Sequence, residues 1–208
     1  MFAAGKICGK EFWLLCLAVC SFALSVVGQG IFIYDQQSAI EGAPQDAGGS
    51  LQSQPFGQSF TPTLSAIGFV RFWLNVSIPG NGVGATVVVN LRSNSITGPI
   101  LSSATPIILP DGFGSGSNGY VNFFFSAPAA VNPGTTYYLQ PLVQSGGDSW
   151  GAFAALYSYP GGAMYNNGSA VSFDLWFREG IVVPEPTTLS LLIGGGVLFY
   201  VKRRKNMW

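Results

Sequence analysis

The chain has 208 residues, of which 48% are hydrophobic and only 9% are charged, and its formal net charge is zero. It contains no histidine, which excludes Ser-His, Cys-His and His-zinc chemistry and argues against most enzymes. Its three cysteines, Cys8, Cys16 and Cys20, all lie near the amino terminus, so the rest of the chain cannot build a disulfide framework.

The first 28 residues have the pattern of a secretory signal peptide. Lys6 and Lys10 precede an apolar stretch at 12–24, and small residues follow it. The residues at 26–28 fit a cleavage site, those at 23–25 fit a second one, and a retained amino-terminal anchor is the alternative. We therefore expect an exported protein, and removal of residues 1–28 would leave a mature chain without thiols.

Residues 29–182 have the length and composition of one β domain. Apolar and polar residues alternate with a period of two at 67–76 and at 85–92, and the glycine-rich turn 79–82 lies between them. The polar segment 38–55 is expected to be a long loop. Eight strands are predicted, at 31–34, 67–76, 85–92, 99–108, 120–126, 136–143, 150–157 and 172–178.

The strand pattern predicts an all-β fold, an antiparallel β-sandwich of jelly-roll type. No apolar pattern of helical period occurs between residues 29 and 186. In the last strand Phe173, Leu175 and Phe177 are expected on the inner face. Arg178 is then expected outside or at the strand end, within reach of Asp174.

The charge of the predicted mature chain argues against a nucleic-acid partner. Between residues 29 and 186 there are three arginines and eight carboxylates, so the net charge is −5. Asp35, Asp111 and Asp148 could contribute to calcium sites in loops, but the closely spaced acidic ladder of a dedicated site is missing. No metal and no cofactor is therefore predicted.

A late aromatic cluster is the candidate glycan-contact site. It comprises Trp150, Tyr157, Tyr159 and Tyr165, with Trp176 nearby. Flat rings with a polar edge can stack on the C–H face of a sugar, and Asp148, Asn166 and Asn167 could supply hydrogen bonds. The alternative is that these rings fill the sandwich core or cover its edges.

Two asparagines match the acceptor pattern for N-glycosylation. Asn75 and Asn167 are each followed two residues later by serine, and Asn75 lies within a predicted strand.

The carboxyl-terminal residues 183–208 combine three features in a fixed order. Pro184, Glu185 and Pro186 should be extended, because proline disfavours the α region in the residue before it. The apolar segment 189–201 follows, with a helix from residue 187 about 22 Å long at ~1.5 Å per residue, a marginal membrane span. Four cations, Lys202, Arg203, Arg204 and Lys205, then form a basic stop-transfer sequence that stays cytoplasmic.

This order closely resembles the PEP-CTERM sorting signal of exported bacterial proteins. The resemblance covers about the last 25 residues and implies that an exosortase-type enzyme recognises Pro184, Glu185 and Pro186 and cleaves near them. An ordinary single-pass carboxyl-terminal anchor is the alternative.

A second resemblance spans residues 58–178. Five segments are similar, in their order, to the extracellular β-sandwich modules called choice-of-anchor domains, whose layout is similar to that of galactose-binding-like jelly rolls. These segments are QSFTP at 58–62, VVVNL at 87–91, VNFFF at 121–125, PGTTYYL at 133–139 and DLWFR at 174–178.

We expect an exported, non-catalytic protein of the cell surface or extracellular matrix, anchored through its carboxyl-terminal helix before processing. Its expected partners are the processing enzyme, the membrane and an exopolysaccharide, which it would bind weakly if it has more than a structural role. The alternative function is a glycoside hydrolase that uses carboxylates such as Asp148 and Asp174, because paired acids need no histidine.

Overall fold

The computed structural model describes residues 30–42, 45–116, 119–155 and 159–184. Within these ranges the regular secondary structure consists of strands, and no helix occurs. The strands are β1 (Ile31–Gln37), β2 (Gln45–Ser50), β3 (Gly57–Phe60), β4 (Ala66–Val76), β5 (Ala85–Ser93), β6 (Ile100–Ser103), β7 (Ile107–Leu109), β8 (Tyr120–Ala130), β9 (Tyr137–Ser145), β10 (Trp150–Ala155), β11 (Met164–Asn166), β12 (Ser169–Ala170), β13 (Asp174–Leu175) and β14 (Phe177–Val183).

The strands form two antiparallel sheets. The first sheet has the order β1-β14-β4-β10-β13, with β2 also paired to β10 and β8 also paired to β4. The second sheet has the order β12-β11-β3-β9-β5-β6, with β7 also paired to β5. In the first sheet β4 is central, because β8, β10 and β14 all pair with it.

One apolar core contains side chains from both sheets. The first sheet contributes Phe72 and Leu74 of β4 and Phe177 of β14, and the second contributes Val89 of β5 and Leu139 of β9, all fully buried. Burying such aliphatic and aromatic side chains stabilises a fold by roughly 1.5–3 kcal/mol each. The predicted all-β fold with two antiparallel sheets is confirmed, and the shared core is that of a β-sandwich.

Strand β4 is buried on both of its faces. Its even-numbered residues from 70 to 76 lie in the core, as the alternation predicted. On the opposite, outer face, Phe69 is fully buried and Trp73 is only 7% exposed. Trp73 packs there against Tyr120 and Trp176, with ring centroids 4.6 and 6.2 Å away.

The predicted loop 38–55 is wrong in part, because β2 lies within it. Gly49 of this strand pairs with Ala152 of β10, and Ser50 pairs with Gly151. Strands β3, β11 and β12 were also not predicted. These segments are short and rich in glycine and polar residues, so their extended conformation comes from pairing with neighbours rather than from local propensity.

The predicted strand at 172–178 is divided in two by a bend at Trp176. Leu175 and Phe177 are buried as expected, but the prediction for Phe173 is wrong, because it is 55% exposed. Asp174 and Trp176 are buried as well, so the alternation of faces does not hold across the bend. The pair of Arg178 and Asp174 that the sequence made possible does not form, because Arg178 contacts Gln37 and Glu41 instead.

The predicted strand at 99–108 is also divided. Its first part, β6, pairs with the end of β5, and its second part, β7, pairs with the start of β5. By contrast, the predicted turn at 79–82 is confirmed. Gly80 and Gly82 have φ angles of +91° and +78°, which favour glycine, and their N–H groups donate to Asp111.

Candidate functional site

The structure places two residues of the predicted aromatic site in the core. Trp150 is fully buried and packs near Phe113, with ring centroids 6.5 Å apart. Tyr159 is 7% exposed, and its hydroxyl donates to Gln36 Oε1 at 2.7 Å. Neither ring presents a face to a ligand in this conformation.

The other members of the predicted site are more scattered. Tyr165 is half-buried on β11, with its ring edge-on to Tyr138 at 5.5 Å, and Tyr157 lies outside the described residues. Asn167 is exposed in the turn between β11 and β12, with a φ of +49°. Asp148 accepts hydrogen bonds from Asn81 at 2.8 and 2.9 Å. The structure therefore does not gather these residues into one site.

Trp176 lies in a separate aromatic cluster on the outer face of the first sheet. The segment 38–42 covers this cluster, because Ile40 O accepts a hydrogen bond from Trp176 Nε1 and Gly42 N donates to the Tyr120 hydroxyl. Ala39 packs against the same rings. Covering the outer face in this way lets the first sheet bury aromatic residues on both sides.

Two arginines lie beside that cluster and share one carboxylate. Arg71 and Arg178 contact Glu41 Oε1 at 2.5 and 3.3 Å. The guanidinium carbon of Arg178 lies 3.4 Å from the ring centroid of Tyr34, and that of Arg71 lies 5.3 Å from the centroid of Tyr120. Both cations are thus used in internal ion pairs and cation–π contacts.

The remaining arginine between residues 30 and 184 is equally engaged. Arg92 donates from Nε to Gln140 Oε1 at 2.7 Å and from its guanidinium to Gly98 O at 2.5 Å. All three arginines of the described residues therefore have internal partners.

The structure does not bring Asp148 and Asp174 into one hydrogen-bond network. Asp148 is bound to Asn81, whereas Asp174 is buried and accepts from Gln58 Nε2 and Tyr159 N at 2.7 and 2.5 Å. Burial raises the pKa of Asp174, although these two hydrogen bonds oppose the rise.

Two other aspartates bind the backbone of neighbouring loops. Asp35 accepts from Thr63 N and Leu64 N at 2.7 and 3.0 Å and from the Thr63 hydroxyl. Burial alone would raise its pKa, but these hydrogen bonds together lower it. The N–H groups of Gly82 and Gly80 lower the pKa of Asp111 in the same way. In the residues that the structure describes, no group of three or more acidic side chains is arranged to hold a metal ion.

Glu179 is a buried carboxyl group on the strand next to β1. Its side chain is fully buried, and neither carboxyl oxygen makes a hydrogen bond to any described residue. Burial, helped by the charge of Asp35, raises the pKa of Glu179 to about 9. The Gln36 N–H and the Asp35 carboxylate influence this pKa, but neither reaches Glu179 with hydrogen-bond geometry. Glu179 is therefore neutral at pH 7.

An open cavity of about 250 Å³ lies against three adjacent strands of the first sheet. Its lining includes Ser50 of β2, Asn75 of β4, and Gly151 and Phe153 of β10. Asn75 pairs with Gly151, and Gly151 pairs with Ser50, so strand register alone brings these residues together. This cavity was not predicted from the sequence. The one residue of its lining that the sequence singled out was Asn75, through the acceptor pattern for N-glycosylation.

Of the predicted sorting residues, the structure describes only Pro184, which is exposed. Glu185, Pro186, Lys202, Arg203, Arg204 and Lys205 lie outside the described residues, as does the predicted signal peptide. The described residues contain no helix with the length and hydrophobicity of a membrane span.

The chain was compared with protein families, curated proteins and solved structures. No family model matches it, and neither a curated protein nor a solved structure is significantly similar to it.

Proposed function

We propose that this chain is an exported, non-catalytic protein of the cell surface or extracellular matrix. An exosortase-type enzyme processes it at Pro184, Glu185 and Pro186, and the β domain contributes structure and weak contact with exopolysaccharide. The proposal that the protein is non-catalytic rests on the hydrogen bonds that its carboxylates accept. Asp35, Asp111 and Asp148 each hold a neighbouring turn or loop through hydrogen bonds, as structural acceptors do.

The finer fold that we propose is a jelly roll with a galactose-binding-like layout. Its support is the alternation of consecutive strands between sheets: β3 and β5 belong to the second sheet, whereas β4 between them belongs to the first. The same alternation recurs at β8, β9 and β10. Chains that cross repeatedly between two antiparallel sheets are typical of jelly rolls.

A carboxylate-dependent glycoside hydrolase is the second candidate. One observation favours it, because Asp35 and Glu179 have pKa values that are shifted in opposite directions, as in an acid and base pair. However, a glycosidase needs both carboxyl groups in a cleft that substrate can enter, and Glu179 is fully buried. The structural function is therefore the better supported of the two.

Fractionation of the producing cells tests the proposed function. We expect the wild-type protein in the surface or matrix fraction, with a mature mass that lacks both the leader and the carboxyl-terminal tail. Recovery of the protein in the cytoplasm, with its full mass, would contradict export and sorting together. Release of reducing sugar from the producer's exopolysaccharide by the purified protein would instead favour the hydrolase.

A further inference from the structure

We propose that the cavity between β2, β4 and β10 binds one neutral sugar ring of a polysaccharide. This inference deepens the proposed glycan contact and moves it away from Trp150 and Tyr159, whose rings are buried.

The lining of the cavity selects a neutral ligand. Its residues are glycine, alanine, serine, asparagine and phenylalanine, so no ionisable side chain lies among them. The cavity volume of about 250 Å³ falls below the range of ~300–1,000 Å³ that is common for sites of drug-sized ligands. A single uncharged ring fits this size better than a charged or extended molecule.

Asn75 supplies directional hydrogen bonds in this cavity. Its Nδ2 makes one long hydrogen bond of 3.5 Å to Val76 O, and no described residue donates to its Oδ1. A carboxamide offers both an acceptor and two donors, which is the combination that vicinal sugar hydroxyls can use. The exposed Ser77, two residues along the chain, adds a hydroxyl to the same lining.

Phe153 supplies an apolar wall. Its ring is half-buried and packs against Trp73, with centroids 5.1 Å apart, so its position is fixed from behind. The register between β10 and β2 shifts between Ala152 and Ala154, where two residues of β2, at 47 and 48, lie opposite Phe153 alone, so the β-bulge is in β2. Bulges are over-represented beside active sites. An aromatic ring in this position can lie against the C–H face of a sugar.

Glycines leave the space that a ring would occupy. A Cβ on Gly151 would lie 2.7 Å from Asn75 Oδ1, and its next neighbour, Gly49 O, would lie 3.7 Å away. A methyl group at this position would therefore fill the cavity and displace the amide, while leaving the backbone in place. Gly48 has a different role, because a Cβ there would lie 1.6 Å from Ala152 O and would force the strands apart.

Saturation-transfer difference NMR on the full chain tests the proposal. The protein is purified in a zwitterionic detergent without a sugar headgroup, and D-glucose, D-galactose, D-mannose and N-acetyl-D-glucosamine are tested separately. We expect at least one sugar to receive saturation, strongest on the C–H protons of one ring face. Gly151→Ala and Asn75→Ala should each weaken that binding by roughly tenfold.

Gly147→Ala is the matched control, because a Cβ at Gly147 meets nothing within 4 Å. It should bind like the wild type. Near-UV circular dichroism checks the fold of each variant. If Gly151→Ala does not fold, Asn75→Ala decides, since Asn75 makes only one long hydrogen bond to the protein.

Absence of saturation with all four sugars, or equal saturation in the wild type and the cavity variants, would overturn the proposal. The proposed function fails in a different way. If the protein reaches the matrix but binds no sugar, the proposed export stands and the sugar site fails. If the protein binds sugar through Asn75 but stays in the cytoplasm, the sugar site stands and the proposed export fails.

Discussion

Glu179 makes the stability of this protein depend on pH in an unusual direction. Its pKa is about 9 in the folded state, against 4.5 for an ordinary glutamate. Between these two values the folded protein holds a proton that the unfolded chain releases. The stabilisation is therefore fully present below pH 4.5 and is lost as the pH rises through 9.

We predict that Glu179→Gln stabilises the protein at neutral and alkaline pH. The amide has nearly the same shape and cannot ionise, so the cost of keeping a proton on the buried carboxyl disappears. From these pKa values the free energy of unfolding should rise by about 5 kcal/mol at pH 8, with little change at pH 4. Chemical denaturation at both pH values measures the difference.

Asp148→Asn is the control for this prediction. It removes a carboxylate that hydrogen-bonds Asn81 rather than one that is buried without hydrogen bonds. Any change that Asp148→Asn makes in the pH profile of stability is the background against which the profile of Glu179→Gln is compared. A Glu179→Gln profile that remains parallel to the wild type from pH 5 to 9 would show that this carboxyl is ionised in the folded protein.

At the scale of the elements, the long strands could be predicted from the sequence, whereas the short ones could not. β4 and β5 alternate apolar residues with a clear period, and both were predicted within one residue of their bounds. β2 has the sequence QDAGGS, which lacks β-branched and aromatic residues. It forms a strand because it pairs with β10, which lies about a hundred residues away in sequence.

The cavity could not be predicted for the same reason. Asn75 and Gly151 meet because β4 and β10 pair in one particular register. A shift by one residue would turn Asn75 to the opposite face. Neither the amide nor the glycine carries a local signal of that register. For Trp150 and Tyr159 the sequence left both burial in the core and contact with a glycan open, because glycines interrupt the pattern around them.

Phe173 and Phe177 give a matched test of the bend that divides the last predicted strand. Phe177 is fully buried, and Phe177→Ala should reduce the free energy of unfolding by about 3–5 kcal/mol. Phe173 is exposed, and Phe173→Ala should change it by less than ~0.5 kcal/mol. Equal losses in urea denaturation would mean that the strand alternates without a bend, as the sequence pattern alone suggests.

At the scale of the whole molecule, the described domain has few charged side chains, its arginines have internal partners, and its interior is largely aromatic. Phe56, Phe60, Phe72, Phe123, Trp150 and Phe177 are all fully buried in one core. Such a core is assembled without cysteine, so the domain does not rely on disulfides for its stability.

Replacement of Pro184, Glu185 and Pro186 by alanine should leave export intact and prevent processing. The leader and the apolar segment are unchanged in this variant, whereas the extended segment that a protease would bind is lost. The mass of the protein in the envelope fraction measures the outcome. An unchanged mature mass would mean that the tail is a plain anchor, and replacing Thr187 and Thr188 by alanine is the matched control.

The three arginines also determine how the folded domain meets proteases. Between residues 30 and 184 the sequence has no lysine, so Arg71, Arg92 and Arg178 are the only positions in this segment where trypsin could cut. Each lies within a paired strand, and each guanidinium is bound internally. Cleavage therefore requires a strand to leave its sheet, and the rate of digestion reports how often that opening occurs. A domain built in this way resists basic-residue proteases for as long as it stays folded.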